Sequence, residues 1–182
     1  RTDIIKSQEY NFHSLPRLFP ETFGRAVYRS QPEDFLVDEV LGFEPSGEGE
    51  HLFLHIKKRD QNTQWVAGLL SKLAGIKRND VSFAGLKDRF AVTTQWFSLY
   101  LPGRELTLDQ LQHDDFEILS TARHHKKLRR GMHSGNQFRL LLRDFGALQE
   151  HYSEIESRLQ AIAENGVPNY FGEQRFGHDC GN

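Results

Sequence analysis

Apolar and polar residues follow two distinct rhythms along this chain, and each rhythm predicts its own elements. In His51-Leu52-Phe53-Leu54-His55-Ile56-Lys57 the even positions Leu52, Leu54 and Ile56 share one face, the period of two expected of a half-buried strand. Trp65, Val66, Leu69, Leu70 and Leu73 recur instead at helical spacing. Asn62-Thr63 supplies the start signal for that helix and Gly75 the stop. Farther on, Leu148, Tyr152, Ile155, Leu159 and Ile162 step by 4, 3, 4 and 3 residues. Asn165-Gly166 and Pro168 then forbid the second helix to continue. Short strands are expected over 25–31 and 35–40 around a Gln31-Pro32-Glu33-Asp34 turn, and over 81–84, 94–101, 116–121 and 138–144.

Strands outnumber helices and do not alternate with them one for one. The expected class is therefore α+β, with a mostly antiparallel sheet and flanking helices. With 182 residues, 37% hydrophobic and 26% charged, the chain can bury one sizeable core. Most of the 14 phenylalanines are expected inside it. The single cysteine, Cys180, excludes an internal disulfide and fits a reducing compartment. Residues 1–6 have no apolar core of a secretory signal, and no apolar run approaches the roughly 20 residues of a membrane helix. The expectation is a cytoplasmic protein with no membrane association and no obligate protein partner. His51 and His55 share a strand face, but no third ligand follows at metal spacing, so no metal site is expected there.

The net charge of −2 is unevenly spread. Arg123-His124-His125-Lys126-Lys127-Leu128-Arg129-Arg130 packs five cations and two imidazoles into eight residues, just after the acidic Asp109, Asp114, Asp115 and Glu117. Because salt screens charge beyond about 8–10 Å, such a strip can bind phosphate whatever the overall sum. Alone it reads as a solvated loop or as a nucleic-acid footprint.

The chemistry centres on Gly85-Leu86-Lys87-Asp88-Arg89-Phe90-Ala91-Val92-Thr93-Thr94-Gln95. It sets one carboxylate between two cations in a glycine-led turn after the apolar run Val81-Ser82-Phe83-Ala84, where scaffold meets solvent. The spaced pattern Gly-x-Lys-Asp-Arg-x-Ala-x-Thr-x-Gln resembles the signature of the tRNA pseudouridine synthase D (TruD) family. Three further stretches are similar to motifs of that family, in the same order. They are the Pro32-Glu33-Asp34-Phe35-Leu36-Val37-Asp38-Glu39 segment led by Arg29, Gly135-Asn136-Gln137-Phe138, and the Pro168-Asn169-Tyr170-Phe171-Gly172 to Gly177 block. Where the family usually has Lys at the head of the first motif, this chain has Arg29, a planar fork in place of a point donor.

The resemblance implies a pseudouridine synthase-like catalytic domain that isomerises a uridine of tRNA, uridine-13, with Asp88 as the catalytic carboxylate and no cofactor. Breaking an N-glycosidic bond builds positive charge on the sugar, and a carboxylate can stabilise it or bond to it. Whether Asp88 engages the sugar, the base or a sugar proton stays open at this stage. Lys87 and Arg89 are expected to favour its ionised form if they turn towards it, although neighbours on a strand face opposite ways, so one should contact RNA instead. Gln95 is a candidate to hold the Asp88 loop by its amide, and Glu39 to pair with a cation nearby. Phe35, Asn136 and Phe138 match positions around the target nucleotide, which must leave its stack to react. Arg29, Lys126, Lys127, Arg129, Arg130 and Arg175 are expected phosphate contacts.

The resemblance also implies a longer protein. The chain opens on Arg1 and closes on loop residues 177–182, so residues 1–165 are expected to be the N-terminal part of a split catalytic domain and 166–182 the start of an insertion domain. Two other functions compete: a non-catalytic RNA-binding module using residues 123–130, and a metal-dependent phosphoryl-transfer enzyme with Asp88 as ligand. The second would need further carboxylates spaced around Asp88, and the sequence offers none at recognisable intervals.

Overall fold

A computed structural model describes residues 15–20, 22, 24–146, 149–168 and 170. In chain order its strands are β1 (Val27–Tyr28), β2 (Phe35–Val40), β3 (His51–Arg59), β4 (Val81–Phe83), β5 (Val92–Tyr100), β6 (Phe116–His124), β7 (Gly135–Leu140) and β8 (Leu142–Arg143). Its helices are α1 (Thr63–Leu73) and α2 (Tyr152–Asn165). The chain divides into two units, Ala26–Asp144 and a second drawn from Arg1–Arg25 with Phe145–Asn182.

In the first unit, β6-β3-β5-β2-β7 form one sheet, with β4 paired to β5 off that path, and β1 pairs β8 in a two-stranded ribbon. Every pairing is antiparallel except β2 with β5. The expected α+β class and antiparallel bias are both present. Strand β3 runs two residues beyond its expected end, and β6 extends to His124, taking Arg123 and His124 out of the basic loop.

The period of two in β3 builds the core. Leu52, Leu54 and Ile56 pack with Phe97 and Leu99 of β5 beneath Val66, Ala67 and Leu70 of α1. Helix α1 begins as its sequence predicts, with the Asn62 side chain accepting the Gln64 N–H at 2.7 Å. On the opposite sheet face Phe53, Leu41, Ala84 and Leu128 form a smaller cluster. There His55 stacks on Trp96 and His51 lies against Tyr100, each its cross-strand neighbour. Burial lowers the pKa of both imidazoles.

Asp34, buried at the end of the turn before β2, accepts two hydrogen bonds from Arg143 at 2.6 and 2.9 Å and one from the Ser30 N–H. The Arg143 fork holds this carboxyl below its ordinary pKa. In the second unit, α2 ends on Gly166 at φ +75° as expected, yet none of its described residues is buried. Leu148, expected to open its apolar stripe, lies outside the described residues, as do Arg175, Cys180, Asn169 and residues 171–177 of the last motif. No helix among the described residues is long and apolar enough to cross a membrane.

Candidate active site

The site is built on an interruption in the sheet. Along one edge of β5, β2 pairs with Val92–Thr94 and β4 with Phe97–Leu99, leaving Gln95 and Trp96 without a strand on that side. The chain leaves β4 there, and residues 85–90 form an irregular loop hung in the notch. A buried strand edge with unpaired amides is costly, so side chains must take the place of a neighbouring strand. Glu39 does so: its Oε1 accepts the Trp96 N–H at 3.0 Å.

Its other oxygen, Oε2, accepts from Lys87 Nζ at 2.5 Å, with side-chain exposures of 0% for Glu39 and 4% for Lys87. The role anticipated for Glu39 is therefore present, and that of Lys87 must be corrected. Its ammonium is buried in an ion pair, so it neither flanks Asp88 nor reaches open solvent. Gln95 donates to the Gly85 carbonyl at 3.2 Å and accepts from the Thr63 hydroxyl, whose oxygen in turn takes the Lys87 N–H at 3.0 Å. Gln95 thus holds the loop by its amide as anticipated. Being fully buried, it positions the loop and offers no surface to a substrate.

Asp88, next in sequence to the buried Lys87, is turned towards solvent. Its side chain is 44% exposed, and the cation beside it is Arg29, with Nη2 3.7 Å from Oδ1. Arg29 also donates to the Phe90 carbonyl at 3.2 Å and lies over the Phe35 ring at 5.0 Å. It adopts φ +55°, a left-handed conformation unusual outside glycine. The expectation that Arg29 reaches open phosphate gives way to this inward placement. Arg89 also does not flank Asp88: its guanidinium pairs with Asp60 at 3.4 Å, and its side chain is left largely open to solvent.

Phe35 and Phe138 come together, their rings 10° from parallel with centroids 6.0 Å apart. Phe138 is 59% exposed, so its outer face is free. Asn136, the cross-strand partner of Glu39, sits on the same sheet face. Its Nδ2 lies 3.5 Å from His133 Nε2, and its Oδ1 has no hydrogen-bond partner among the described residues.

Beneath the loop lies a residue that the sequence reading missed. Lys58, buried on the core face of β3, donates to the carbonyls of Gln61 at 2.6 Å and Asp88 at 3.2 Å. No carboxylate among the described residues lies within 4.0 Å of its ammonium. Burial pushes its pKa down to about 8, with Asp88 opposing that shift and Lys87 adding to it. The missed signal was periodicity, because Lys58 continues the Leu52, Leu54, Ile56 register.

The basic strip divides. Arg123 is held by Glu105 at 3.0 Å and by the Arg104 carbonyl, and His125 faces Glu48 at 3.6 Å. Lys126, Lys127, Arg129 and Arg130 are exposed around a fully buried Leu128. Leu128 donates its N–H to the Ser98 hydroxyl at 3.0 Å. No group of three or more His, Cys, Asp or Glu among the described residues could hold a metal ion.

The fold, a largely antiparallel α+β sheet with one exposed carboxylate presented from a notch in it, is that of a pseudouridine synthase. The crystal structure of a TruD protein from Methanosarcina mazei superposes with a TM-score of 0.74 at 31% identity, covering 86% of this chain and 36% of that one. The family model for tRNA pseudouridine synthase D (TruD) matches residues 20–182, and the chain belongs to that family. It is 53% identical to tRNA pseudouridine synthase D of Aeromonas hydrophila over 160 residues, covering 87% of this chain and 44% of the relative. Against the Methylococcus capsulatus protein of the same name the identity is 51% over 168 residues, covering 92% and 47%. The chain therefore spans less than half the length of these curated relatives.

Proposed function

We propose that this chain is the part of a tRNA pseudouridine synthase that carries the reactive carboxylate, and that the whole protein isomerises uridine-13 of tRNA. The observation that carries the reading is Asp88: an exposed carboxylate on a loop held from behind at Gly85, Lys87 and the Asp88 carbonyl. In the reaction the N1–C1′ bond breaks with its electron pair left on N1, the uracil turns, C5 bonds to C1′, the C5 proton leaves and N1 takes up a proton. Asp88 meets the positive charge that develops at C1′, by proximity or by a transient bond. Arg29 fixes the direction of that carboxylate. Lys58, Gln95 and the Lys87–Glu39 pair act through the loop as positioning groups. The extruded uracil stacks on the outer face of Phe138, backed by Phe35, and the Asn136 amide recognises the base edge.

Arg29, Lys126, Lys127, Arg129 and Arg130 supply positive charge for the RNA, Arg29 from inside the site and the others from the loop. In this reading no metal or organic cofactor takes part. Residues 1–165 belong to a catalytic domain completed by chain from the full-length protein, and 166–182 begin an insertion; the share of the relatives that is matched supports this.

The test uses the full-length protein and tRNA carrying tritium at C5 of uridine. Tritium should be released from position 13, and a tRNA with cytidine there should release none. Absence of release, or release that persists undiminished in Asp88→Asn, would overturn the proposal.

A further inference from the structure

Separate from the Asp88 pocket, a groove of about 730 Å³ opens between β4, the start of α1 and the basic loop. One wall is Arg78 and Asn79, in a short helical turn just before β4, and the other is Lys127, Arg129 and Arg130. Four cations therefore face a single groove, and no carboxylate lines it. The three loop cations have no side-chain partner among the described residues, in contrast to Arg123, which has a carboxylate and carbonyls of its own. Like charges gathered without counter-ions repel one another, which favours an anionic occupant.

The walls are held apart by design of the fold. Leu128 is fully buried and is pinned by Ser98, and the Gly131 N–H donates to the Ala84 carbonyl at 2.8 Å. With Leu128 as anchor, the side chains on either side of it must turn outward. Across the groove Arg78 donates to the Val81 carbonyl at 3.2 Å and lies 5.8 Å from the Phe83 ring centroid, so its guanidinium is already oriented. The sequence signals this wall poorly, because Arg78 has only Lys77 beside it and lies 49 residues before Lys127.

The groove also adjoins the reactive loop. Phe83, in its floor, is five residues before Asp88, a separation of at most about 18 Å of extended chain. Gln64, in its wall, follows Thr63, the residue that takes the Lys87 N–H.

We infer that this groove holds the phosphodiester backbone of the RNA strand flanking the target nucleotide, with Arg78 and the loop cations contacting phosphates from opposite sides. The inference rests on the tRNA reading above and adds to it a second wall and a location. A protein segment is the lesser fit, since it would have to bring carboxylates to four cations in one groove, whereas a nucleic-acid strand carries a phosphate at every nucleotide.

The experiment measures tRNA affinity of the full-length protein against salt for two double variants, Arg78→Gln with Lys127→Gln and Arg129→Gln with Arg130→Gln. Each pair should weaken binding about tenfold near 0.15 M salt and make the log–log salt slope shallower by roughly 1.4 to 1.8, the share of two phosphate contacts. The second pair gives up no hydrogen bond within the fold, so it decides the matter if Arg78→Gln impairs folding. Lys72→Gln, an exposed cation on α1 outside the groove, should leave affinity within about twofold. Unchanged affinity and slope in the Arg129/Arg130 pair would overturn the groove while leaving wild-type isomerisation intact. A lower melting temperature with an unchanged slope would also overturn it, by showing polypeptide as the occupant. If instead the wild-type protein binds tRNA with the predicted slopes yet forms no pseudouridine, the enzymatic reading fails and the groove stands.

Discussion

Two loops of this protein are irregular and exposed, and they are built on opposite principles. Residues 85–90 are tied by side chains at nearly every step: Gln95 to Gly85, Thr63 and Glu39 to Lys87, Lys58 to Asp88, Arg29 to Phe90. Residues 125–130 have one deep anchor, Leu128, and four cations around it with no protein partner among the described residues. The proposed function gives this difference a reason: a reacting carboxylate must be held within a fraction of an ångström, whereas a phosphate-binding cation is oriented by the phosphate it meets, and bracing it in advance would add little.

The contrast can be broken most severely at Asp88. Replacing it with Asn keeps its shape and should lower kcat by roughly a thousandfold or more while tRNA affinity stays within a few-fold. Single-turnover tritium release and filter binding measure the two quantities, and comparable losses in both would assign Asp88 to binding instead.

The next largest effect lies behind the loop. Lys87→Met leaves Glu39 buried without its counter-ion and should destabilise the protein by about 3–5 kcal/mol, read from urea midpoints at constant m-value. A loss below about 1 kcal/mol would show that the pair is not the brace described here.

Lys58 sharpens the contrast in two ways. Lys58→Met should lower kcat by roughly ten- to a hundredfold with little change in KM, since only loop placement is lost. Its folded pKa of about 8 lies below the ordinary lysine value of 10.5, so between those values the unfolded chain binds more protons than the folded one. Stability from this group is therefore lowest below about pH 8 and rises through that window, by about 2–3 kcal/mol once residual hydration is allowed for. Urea titrations from pH 7.5 to 10.5 should show that rise in the wild type and its absence in Lys58→Met; parallel curves would refute the assignment. The smallest effect belongs to the basic loop. Neutralising Lys126, Arg129 and Arg130 together to Gln should shift folding stability by no more than about 0.5 kcal/mol, by the same titration.

Elements whose pattern is local were legible in the sequence. Strand β3, helix α1 with its Asn62 cap, and the stop at Gly166 all follow from spacing over a dozen residues or fewer. The class of fold was legible too, and so was the glycine-led turn that carries Asp88 beyond the end of β4. Which flank of Asp88 each cation takes was not legible, because it depends on Glu39 and Asp60, each distant in sequence. Half of the missing information was nonetheless present in the periodicity. Lys58 continues the buried register of Leu52, Leu54 and Ile56, Glu39 that of Val37, and Thr93 and Gln95 that of Phe97 and Leu99. Polar side chains on a core register need partners. Here these four positions gather where β2, β3 and β5 meet, and three of them bond to the Asp88 loop. Arg78 is different: nothing in its neighbourhood in the chain distinguishes it, and only the path of β4 beside residues 127–130 gives it meaning.

The notch in the edge of β5 makes the reactive segment an inset, seated in the sheet by sockets that belong to other strands. Leu86 and Phe90, which face outward from it, are 62% and 40% exposed and stand on its solvent side. Evolution, or an engineer, can therefore reshape the rim of the pocket without disturbing its seat.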